Sequence, residues 1–436
     1  MLLNNSTGYW DLVDYGSTIT YNAGIKDDEE ILKKDRLILK NLSIRVAEIA
    51  SHPRQKEIRN LWFKHNSLEA TRPLIIFDPE NGWNEIITTD QLECSSRLSR
   101  HWEMVLKKEI FWGEKICDDR PIEPYFNLGY TFTESSWGLE SKFIGGRNGG
   151  SYTWEPALKE YNDISKLSYP EIEVDYDTTN KTYKLAKEIF GDILKVRLIG
   201  LWWFSFGLTY DLAVLRGMQQ MMVDMIENPK FIHEVMQILC NGTLEKIKFL
   251  ESNNLLSLNN DLYNYPGGFG YTSELPAKDF TGHIRPIDMW AWAESQETVG
   301  ISPEVFKEFV FHYQLSILKL FGLNNYGCCE PLDNRFHIIK NIPRLRKITV
   351  SPWANLEKMV DMAGKNYCLC IKPHPVDLSA PKIDKELIRK KMNAIFKTAR
   401  NCYVEVLMQD THTIGNNPDN VIEWVKIAKE EAERIV

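Results

Sequence analysis

The sequence predicts an α/β protein whose main part is a (β/α)8 TIM barrel with an N-terminal helical extension. About eight apolar runs of strand length begin near residues 73, 125, 197, 255, 323, 347, 367 and 402, and helical periodicity separates most of them. Alternating strands and helices indicate a parallel sheet, and repeats with polar strand ends favour a closed barrel whose cleft lies at the carboxyl ends of the strands. The alternative is a doubly wound open sheet, but no glycine-rich dinucleotide turn follows the first run.

The domain boundary is predicted from a change of pattern near residue 70. Residues 27–70 are charged and helical in period, whereas the strand-like runs begin just beyond them. We therefore expect a helical extension over residues 1–70 and the barrel over residues 71–436. Residues 134–170 are rich in Gly, Trp, Ser and Asn, which predicts an irregular segment over one face.

Two helices have clear terminal signals. Ser302 and Pro303 are of the residue types that begin a helix, and Gly322 is of the type that ends one. Asn417 and Pro418 give the same start signal for the last helix of the chain. The first of these helices leads into the strand predicted at residues 323–326.

Composition restricts the class of protein and its surroundings. Hydrophobic residues make up 43% of the 436, enough for a large core, and the net charge of −8 argues against a nucleic acid or an anionic membrane as partner. The chain has no signal-peptide pattern at its start and no apolar run of about 20 residues that would span a membrane. The eight cysteines lack the spacing of a disulfide scaffold, so we expect a reducing, cytoplasmic setting.

One stretch concentrates reactive side chains at the end of a predicted strand. Cys328, Cys329 and Glu330 follow the run at 323–326, and Pro331 prevents the strand from continuing far. In parallel β/α sheets the carboxyl ends of the strands carry the chemistry. The ordinary alternative is that one thiol packs in the core while the other faces solvent.

Other strand ends add side chains of similar chemistry. Thiolate, imidazole and carboxylate are the ligand types of zinc, and a catalytic zinc keeps one position open for substrate. The spacing is not that of a zinc finger, because the candidates come from different strands. Several of them could instead have purely structural roles, as turn residues or salt-bridge partners. The candidate strand-end residues are Asn259, Asp261, Cys328, Cys329, Glu330, Trp353, Lys372, His374, Asp410 and His412, with Glu294 and Gln296 before the Ser302 helix.

Together these stretches resemble the uroporphyrinogen decarboxylase superfamily, and within it the corrinoid-linked methyltransferases of anaerobes. The likeness covers about residues 70–436 and depends on a few places. These are Arg216-Gly217 with Asp224 and Asn228-Pro229 after the third strand, residues 255–261 as a strand ending in Asp, residues 325–330 where the methyltransferases carry His-x-Cys-Gly, and residues 409–418 where they carry a late cysteine.

The resemblance implies a zinc-dependent barrel that exchanges a methyl group with a cobalamin held on a separate corrinoid protein. This chain departs from the family motif, because Tyr326 stands where the first histidine would be and Asp410 or His412 replaces the late cysteine, whereas Cys328 matches. A ligand set poorer in thiols suits activation of an ether or amine donor better than activation of a thiolate acceptor. The resemblance therefore implies the donor-side role, demethylation of a methoxylated compound.

The leading hypothesis is a methyltransferase component that moves a methyl group from a small methoxylated, methylamine or methylthiol donor to the cobalamin of a corrinoid protein. Zinc would activate the donor, and a protonated or metal-bound leaving oxygen departs more easily. The predicted metal ligands are Cys328, Cys329, Glu330 and His412, and the predicted proton-transfer residues are Glu294, Lys372 and Asp410. The predicted substrate contacts are Trp202, Asn259, Asp261, Trp290, Gln296, Tyr326, Trp353 and His374.

Two other functions remain as alternatives. One is a metal-free barrel lyase that decarboxylates an acidic substrate with Lys372 and Asp261 as its acid and base. The other is a non-catalytic module that binds a small molecule or a corrinoid. The sequence leaves open the methyl donor, the choice between Cys328 and Cys329 as ligand, and the oligomeric state, with a homodimer as one alternative.

Overall fold

The structure is a computed structural model of the 436-residue chain. It describes residues 19–20, 31–145, 151–200, 202–264 and 266–435. Most of the first 30 residues, where the predicted helical extension begins, therefore lie outside the described residues. None of the helices in these ranges combines the length and the apolarity that a membrane span requires.

The strands are short and recur along the whole chain. They are β1 (Ile19–Thr20), β2 (Leu74–Phe77), β3 (Tyr125–Gly129), β4 (Phe132–Glu134), β5 (Lys142–Gly145), β6 (Tyr152–Glu155), β7 (Ile172–Val174), β8 (Lys195–Ile199), β9 (Trp290–Ala293), β10 (Leu323–Tyr326), β11 (Leu345–Val350), β12 (Cys368–Ile371) and β13 (Tyr403–Met408).

Helices separate most of these strands. They are α1 (Lys33–Ser51), α2 (Pro53–Asn66), α3 (Trp83–Ile86), α4 (Arg97–Phe111), α5 (Tyr176–Phe190), α6 (Thr209–Arg216), α7 (Met218–Glu227), α8 (Pro229–Ser252), α9 (Pro303–Phe306), α10 (His312–Leu318), α11 (Phe336–Ile339), α12 (Leu356–Ala363), α13 (Lys385–Thr398) and α14 (Pro418–Glu433). A π-helical turn, Lys307–Phe311, joins α9 to α10.

The first of two compact units contains Met1–Phe132, Val174–Leu201 and Lys372–Val436. In it β3 pairs in parallel with β1 and β8, and β2 pairs in parallel with β13. Its core includes rings from α4, β3 and α5, where the centroids of Phe126 and Phe190 lie 4.2 Å apart. These three parallel pairings bring strands from distant parts of the chain together.

The second unit contains Thr133–Glu173 and Trp202–Ile371. Its sheet consists of β9, β10, β11 and β12 in spatial order, and all neighbours are parallel. The antiparallel strands β5 and β6 belong to the same unit. Because the four parallel strands run in one direction, the loops that follow β9, β10 and β11 share one edge of the sheet.

Parallel pairing in both units, with helices between the strands, confirms the α/β class. Closure of the strands into an eight-stranded barrel and the boundary near residue 70 stay predictions. The helix signals are confirmed where they were clearest: Ser302 Oγ accepts the N–H of Val305 at 3.3 Å, and Asn417 Oδ1 accepts the N–H of Asp419 at 3.2 Å.

Two strand assignments differ from the structure. No strand is present over the described residues 255–261, where the sequence predicts one, and β9 lies in a stretch that the prediction left unassigned. The reason is a side chain: Asn259 Nδ2 donates to Trp290 O at 3.0 Å, and Asn259 Oδ1 accepts from Trp290 N at 2.9 Å. The amide thus takes hydrogen bonds of β9 that the backbone of a neighbouring strand would otherwise make.

Candidate functional site

A group of buried carboxylates follows the strands of the second unit. Glu294 comes directly after β9, Glu297 follows three residues later, and Glu330 lies in the loop after β10. Glu294, Glu297 and Glu330 are 3%, 8% and 1% exposed, respectively. Burial raises the pKa of Glu294 well above its ordinary value, and the like charges of Glu297 and Glu330 raise it further. Glu294 therefore holds its proton to a higher pH than an ordinary glutamate does.

Short-range contacts hold the Glu294 carboxyl in place. Its Oε2 accepts the N–H of Gln296 at 2.9 Å, and its Oε1 accepts the hydroxyl of Ser205 at 3.2 Å. A Cβ atom at Gly207 would lie 2.3 Å from Oε1, so only glycine leaves room for the carboxyl. Gln314 donates through Nε2 to the carbonyl oxygens of both Gly207 and Glu294 at 2.7 Å, which ties the two backbones together.

Glu330 connects two loops through the hydrogen bonds that its oxygens accept. Oε1 accepts the N–H of Ser295 at 2.8 Å and its hydroxyl at 3.3 Å, and Oε2 accepts the N–H of Cys328 at 3.0 Å. Burial raises the pKa of Glu330 as well. This side chain links the loop after β9 to the loop after β10.

The adjacent thiols of Cys328 and Cys329 lie in the same loop as Glu330. Their Sγ atoms are 3.6 Å apart, with Cys328 buried and Cys329 half-buried. Across the described ranges, no three His, Cys, Asp or Glu side chains form a group that could hold a metal ion. Cys328, Cys329 and Glu330 are therefore not gathered into such a group among the described residues, and zinc binding stays a prediction.

Several predicted substrate contacts have packing or hydrogen-bonding roles in the second unit. Trp202 and Trp290 are buried and donate through Nε1 to Leu255 O at 2.7 Å and Gly270 O at 2.9 Å. Tyr326 is fully buried, and its hydroxyl donates to Gln314 Oε1 at 2.8 Å. Their part in substrate binding stays a prediction.

The other predicted contacts are more accessible. Trp353 is 66% exposed, whereas Asn259, Asp261, Gln296 and His374 are half-buried. Of these, Gln296 is the nearest in sequence to the acid, and its N–H holds the Glu294 carboxyl. Their role in binding substrate also stays a prediction.

In the first unit a second group of predicted residues comes together after β13. Lys372 Nζ lies 2.5 Å from Asp410 Oδ2; the lysine side chain is 1% exposed and the aspartate side chain 34% exposed. Asp410 has a positive φ of 61°, which turns the chain sharply after the strand. His412 is exposed, and its Nδ1 atom lies 3.2 Å from Nδ2 of Asn81.

Asp78, which directly follows β2 in the first unit, was not among the site residues predicted from the sequence. It is 2% exposed; Oδ1 accepts the N–H of Glu80 at 3.2 Å, and Oδ2 has no hydrogen-bond partner within the described chain. Burial raises its pKa to about 6, with Arg120 and Lys108 opposing the shift and Asp410 adding to it. Glu297 and Arg335 were missed as well. Asp78 could have been predicted, because it follows a strand as the other candidate residues do.

Comparison with known proteins adds little to this geometry. No protein-family model matches the chain, and no curated protein matches its sequence. A solved structure described as a methyltransferase from Methanosarcina mazei is similar, with a TM-score of 0.49 and 9% identity, over 86% of this chain and 98% of that chain. At this level the similarity does not bear on function.

Proposed function

We propose that the chain is a methyltransferase component that moves a methyl group from a small methoxylated donor, or a methylamine or methylthiol, to the cobalamin of a corrinoid protein. The observation that carries the proposal is the buried Glu294 at the carboxyl end of a parallel strand, where burial raises the pKa of its carboxyl group. The motif resemblance at residues 325–330 suggests the reaction class, and the acid gives this chain a specific part in the reaction.

The chemical difficulty of demethylating an ether is the departing oxygen. When the carbon–oxygen bond breaks, the bonding electron pair stays on oxygen, and a proton supplied at that moment avoids a free alkoxide or phenolate. A reduced cobalamin, when held by the partner, would supply the nucleophile that takes the methyl group. The Glu294 carboxyl donates its proton to the leaving oxygen, and Gln296 N–H and Ser205 Oγ hold the resulting carboxylate.

The electrostatics of the group suit this step. Glu297 accepts the hydroxyl of Thr209 at 2.7 Å, and with Glu330 it places negative charge near Glu294 before the reaction. That charge keeps the proton on Glu294 until a stronger base, the departing oxygen, develops beside it. No step of this proposal uses zinc. Elemental analysis tests the metal separately, and the sequence predicts about one zinc per chain.

Methyl transfer to reduced cobalamin, from a panel of methoxylated aromatics, methylamines and methylthiols, tests the proposal. We expect transfer from at least one methoxylated donor and a loss of about 100-fold or more in Glu294→Gln, since general acid catalysis contributes factors of this size. The rate should fall as pH rises through the raised pKa of Glu294, because only the protonated form donates. No transfer from any donor, or an unaffected Glu294→Gln enzyme, would contradict it.

Glu297→Gln is the matched control because it removes one charge from the same group. It should retain transfer. The alkaline limb of its pH–rate profile should move to lower pH, because the substitution removes a like charge that raises the pKa of Glu294. A Glu297→Gln enzyme as inactive as Glu294→Gln would instead assign the effect to general disruption of the site.

A further inference from the structure

The two adjacent thiols are closer together than neighbouring residues of a strand could bring them. In an extended strand consecutive side chains point to opposite faces of the sheet. Here β10 has ended at Tyr326, and Gly327 has a φ of 102°, a conformation that favours glycine. The turn places Cys328 Sγ and Cys329 Sγ 3.6 Å apart, in contact but not bonded.

The backbone around the thiols is fixed on several sides. Gly327 N–H donates to Ala293 O at 2.9 Å, Gly327 O accepts from Trp292 Nε1 at 2.9 Å, and Cys328 N–H donates to Glu330 at 3.0 Å. The sulfur atoms are thus presented to one another by a held loop. Cys328 is 2% exposed and Cys329 is half-buried, so a reagent from solvent meets Cys329 first.

We propose that Cys328 and Cys329 are a redox-modification site, at which a small-molecule disulfide of the glutathione class converts the two thiols into a reversible disulfide between adjacent residues. Oxidation of the pair is a separate matter from metal binding by either thiol. The expected effect of oxidation on methyl transfer rests on the proposed function, whereas formation of the disulfide does not.

The reaction proceeds in two exchange steps that balance. The Cys329 thiolate attacks one sulfur of the small disulfide, which forms a mixed disulfide and releases one small thiolate. The Cys328 thiolate then attacks Cys329 Sγ, which forms the Cys328–Cys329 bond and releases the second small thiolate. The protein loses two protons and two electrons, and the small disulfide becomes two thiols.

Closure would reorganise the loop that carries Glu330. A disulfide bond is about 2.0 Å long, so the sulfur atoms must approach each other from their present 3.6 Å. Cys328 N–H is bonded to Glu330 Oε2, and Ser295 N–H is bonded to Oε1, so the movement acts on both loops beside Glu294. We therefore expect oxidation to lower methyl transfer and a dithiol reductant to restore it.

Mass spectrometry of the full chain tests the proposal without any substrate. The protein is treated with oxidised glutathione, quenched in acid, alkylated and digested. The expected product is a peptide that contains both cysteines, lacks alkyl groups and is lighter by two hydrogen atoms, with the thiol titre reduced by two from eight. Dithiothreitol should restore both thiols.

Single substitutions separate the two steps. Cys328→Ser should stop the reaction at a stable glutathione adduct on Cys329, and Cys329→Ser should prevent oxidation at this loop; Cys328→Ala replaces the first variant if the serine is not tolerated. Cys370→Ser is the matched control, because Cys370 is fully buried on β12 and its Sγ donates to Pro266 O at 2.9 Å. It should leave the oxidation unchanged.

Three results would overturn the proposal. These are a glutathione adduct that persists on Cys329 in the unsubstituted chain, a bond from either thiol to another cysteine, and no oxidation of the pair. Because the readout is mass, a failure here is distinct from a failure of methyl transfer. Closure of the disulfide with unchanged transfer would confirm the modification and overturn only its effect on the site.

Discussion

Burial raises the pKa of several carboxyl groups in this chain, and two of them, Glu294 and Asp78, lie in different electrostatic settings. Glu294 is surrounded by other acids, so desolvation and like charge act in the same direction on its pKa. Asp78 is opposed by the cations of Arg120 and Lys108, yet burial still raises its pKa to about 6. The setting of Glu294 favours a reactive acid, whereas burial of Asp78 lowers the stability of the folded chain.

That cost predicts a stabilising substitution. Between about pH 4 and pH 6 the folded chain holds the Asp78 proton more tightly than the unfolded chain, so stability falls as pH rises through this range. Asp78→Asn should therefore raise the free energy of unfolding at pH 8 by about 3 kcal/mol, with the gain shrinking toward pH 4. Urea denaturation at several pH values measures it. A loss of stability at pH 8 would contradict this account of Asp78.

Sequence reasoning found residues by type and by position at strand ends, and this explains what it could and could not predict. Glu294 and the thiols have clear sequence positions, so they could be proposed. The raised pKa of Glu294 depends first on exclusion of water, which is set by packing between distant segments, and then on the charges of Glu297 and Glu330. Tyr326 illustrates the opposite case, because its position suggested a substrate contact whereas its hydroxyl is bonded to Gln314 in the core.

At the scale of elements, the site depends on two loops that are fastened to one another. Arg335 is 1% exposed and bonds to the segment after β9, donating to Ser295 Oγ at 3.1 Å and Ile301 O at 3.2 Å, and also to Thr298. Its guanidinium also lies 4.6 Å from the ring centroid of Phe306. A single cation thus stabilises the segment between β9 and the next helix.

Arg335→Met should destabilise the fold by about 3 kcal/mol, because it removes several charge-assisted hydrogen bonds and leaves their buried acceptors unsatisfied. Arg45→Met is the control, since Arg45 is paired on the surface with Glu48 at 2.7 Å and also with Glu114, and it should cost much less than Arg335→Met. Thermal or urea unfolding of both variants measures the difference. Equal effects would show that Arg335 does not hold the loop.

Elements with strong local signals were predicted well, and those defined by distant partners were not. The helix starts at Ser302 and Asn417 follow from capping chemistry within a few residues. Residues 255–261 have the composition of a strand, but whether such a run pairs depends on its neighbours. The Asn259 side chain takes the hydrogen bonds to Trp290, and nothing local to residues 255–258 indicates that outcome.

At the scale of the whole molecule, each of the two units carries titratable residues just beyond parallel strands. In the second unit these are the carboxylates and thiols after β9 and β10, and in the first they are Asp78, Lys372 and Asp410. This placement is general for parallel β/α proteins and was predictable from the alternation of strands and helices. The reaction proposed for this chain depends on the protonation of one side chain, Glu294.

The most direct test is an infrared difference spectrum of the full chain, unsubstituted minus Glu294→Gln, which isolates one carboxyl group among the 60 Asp and Glu residues. We expect the carbonyl stretch of a protonated carboxyl group to persist well above the pH at which an ordinary glutamate ionises, because burial raises the pKa of Glu294. A difference spectrum that contains only carboxylate bands at pH 7 would show that Glu294 is ionised, and would contradict its role as the proton donor.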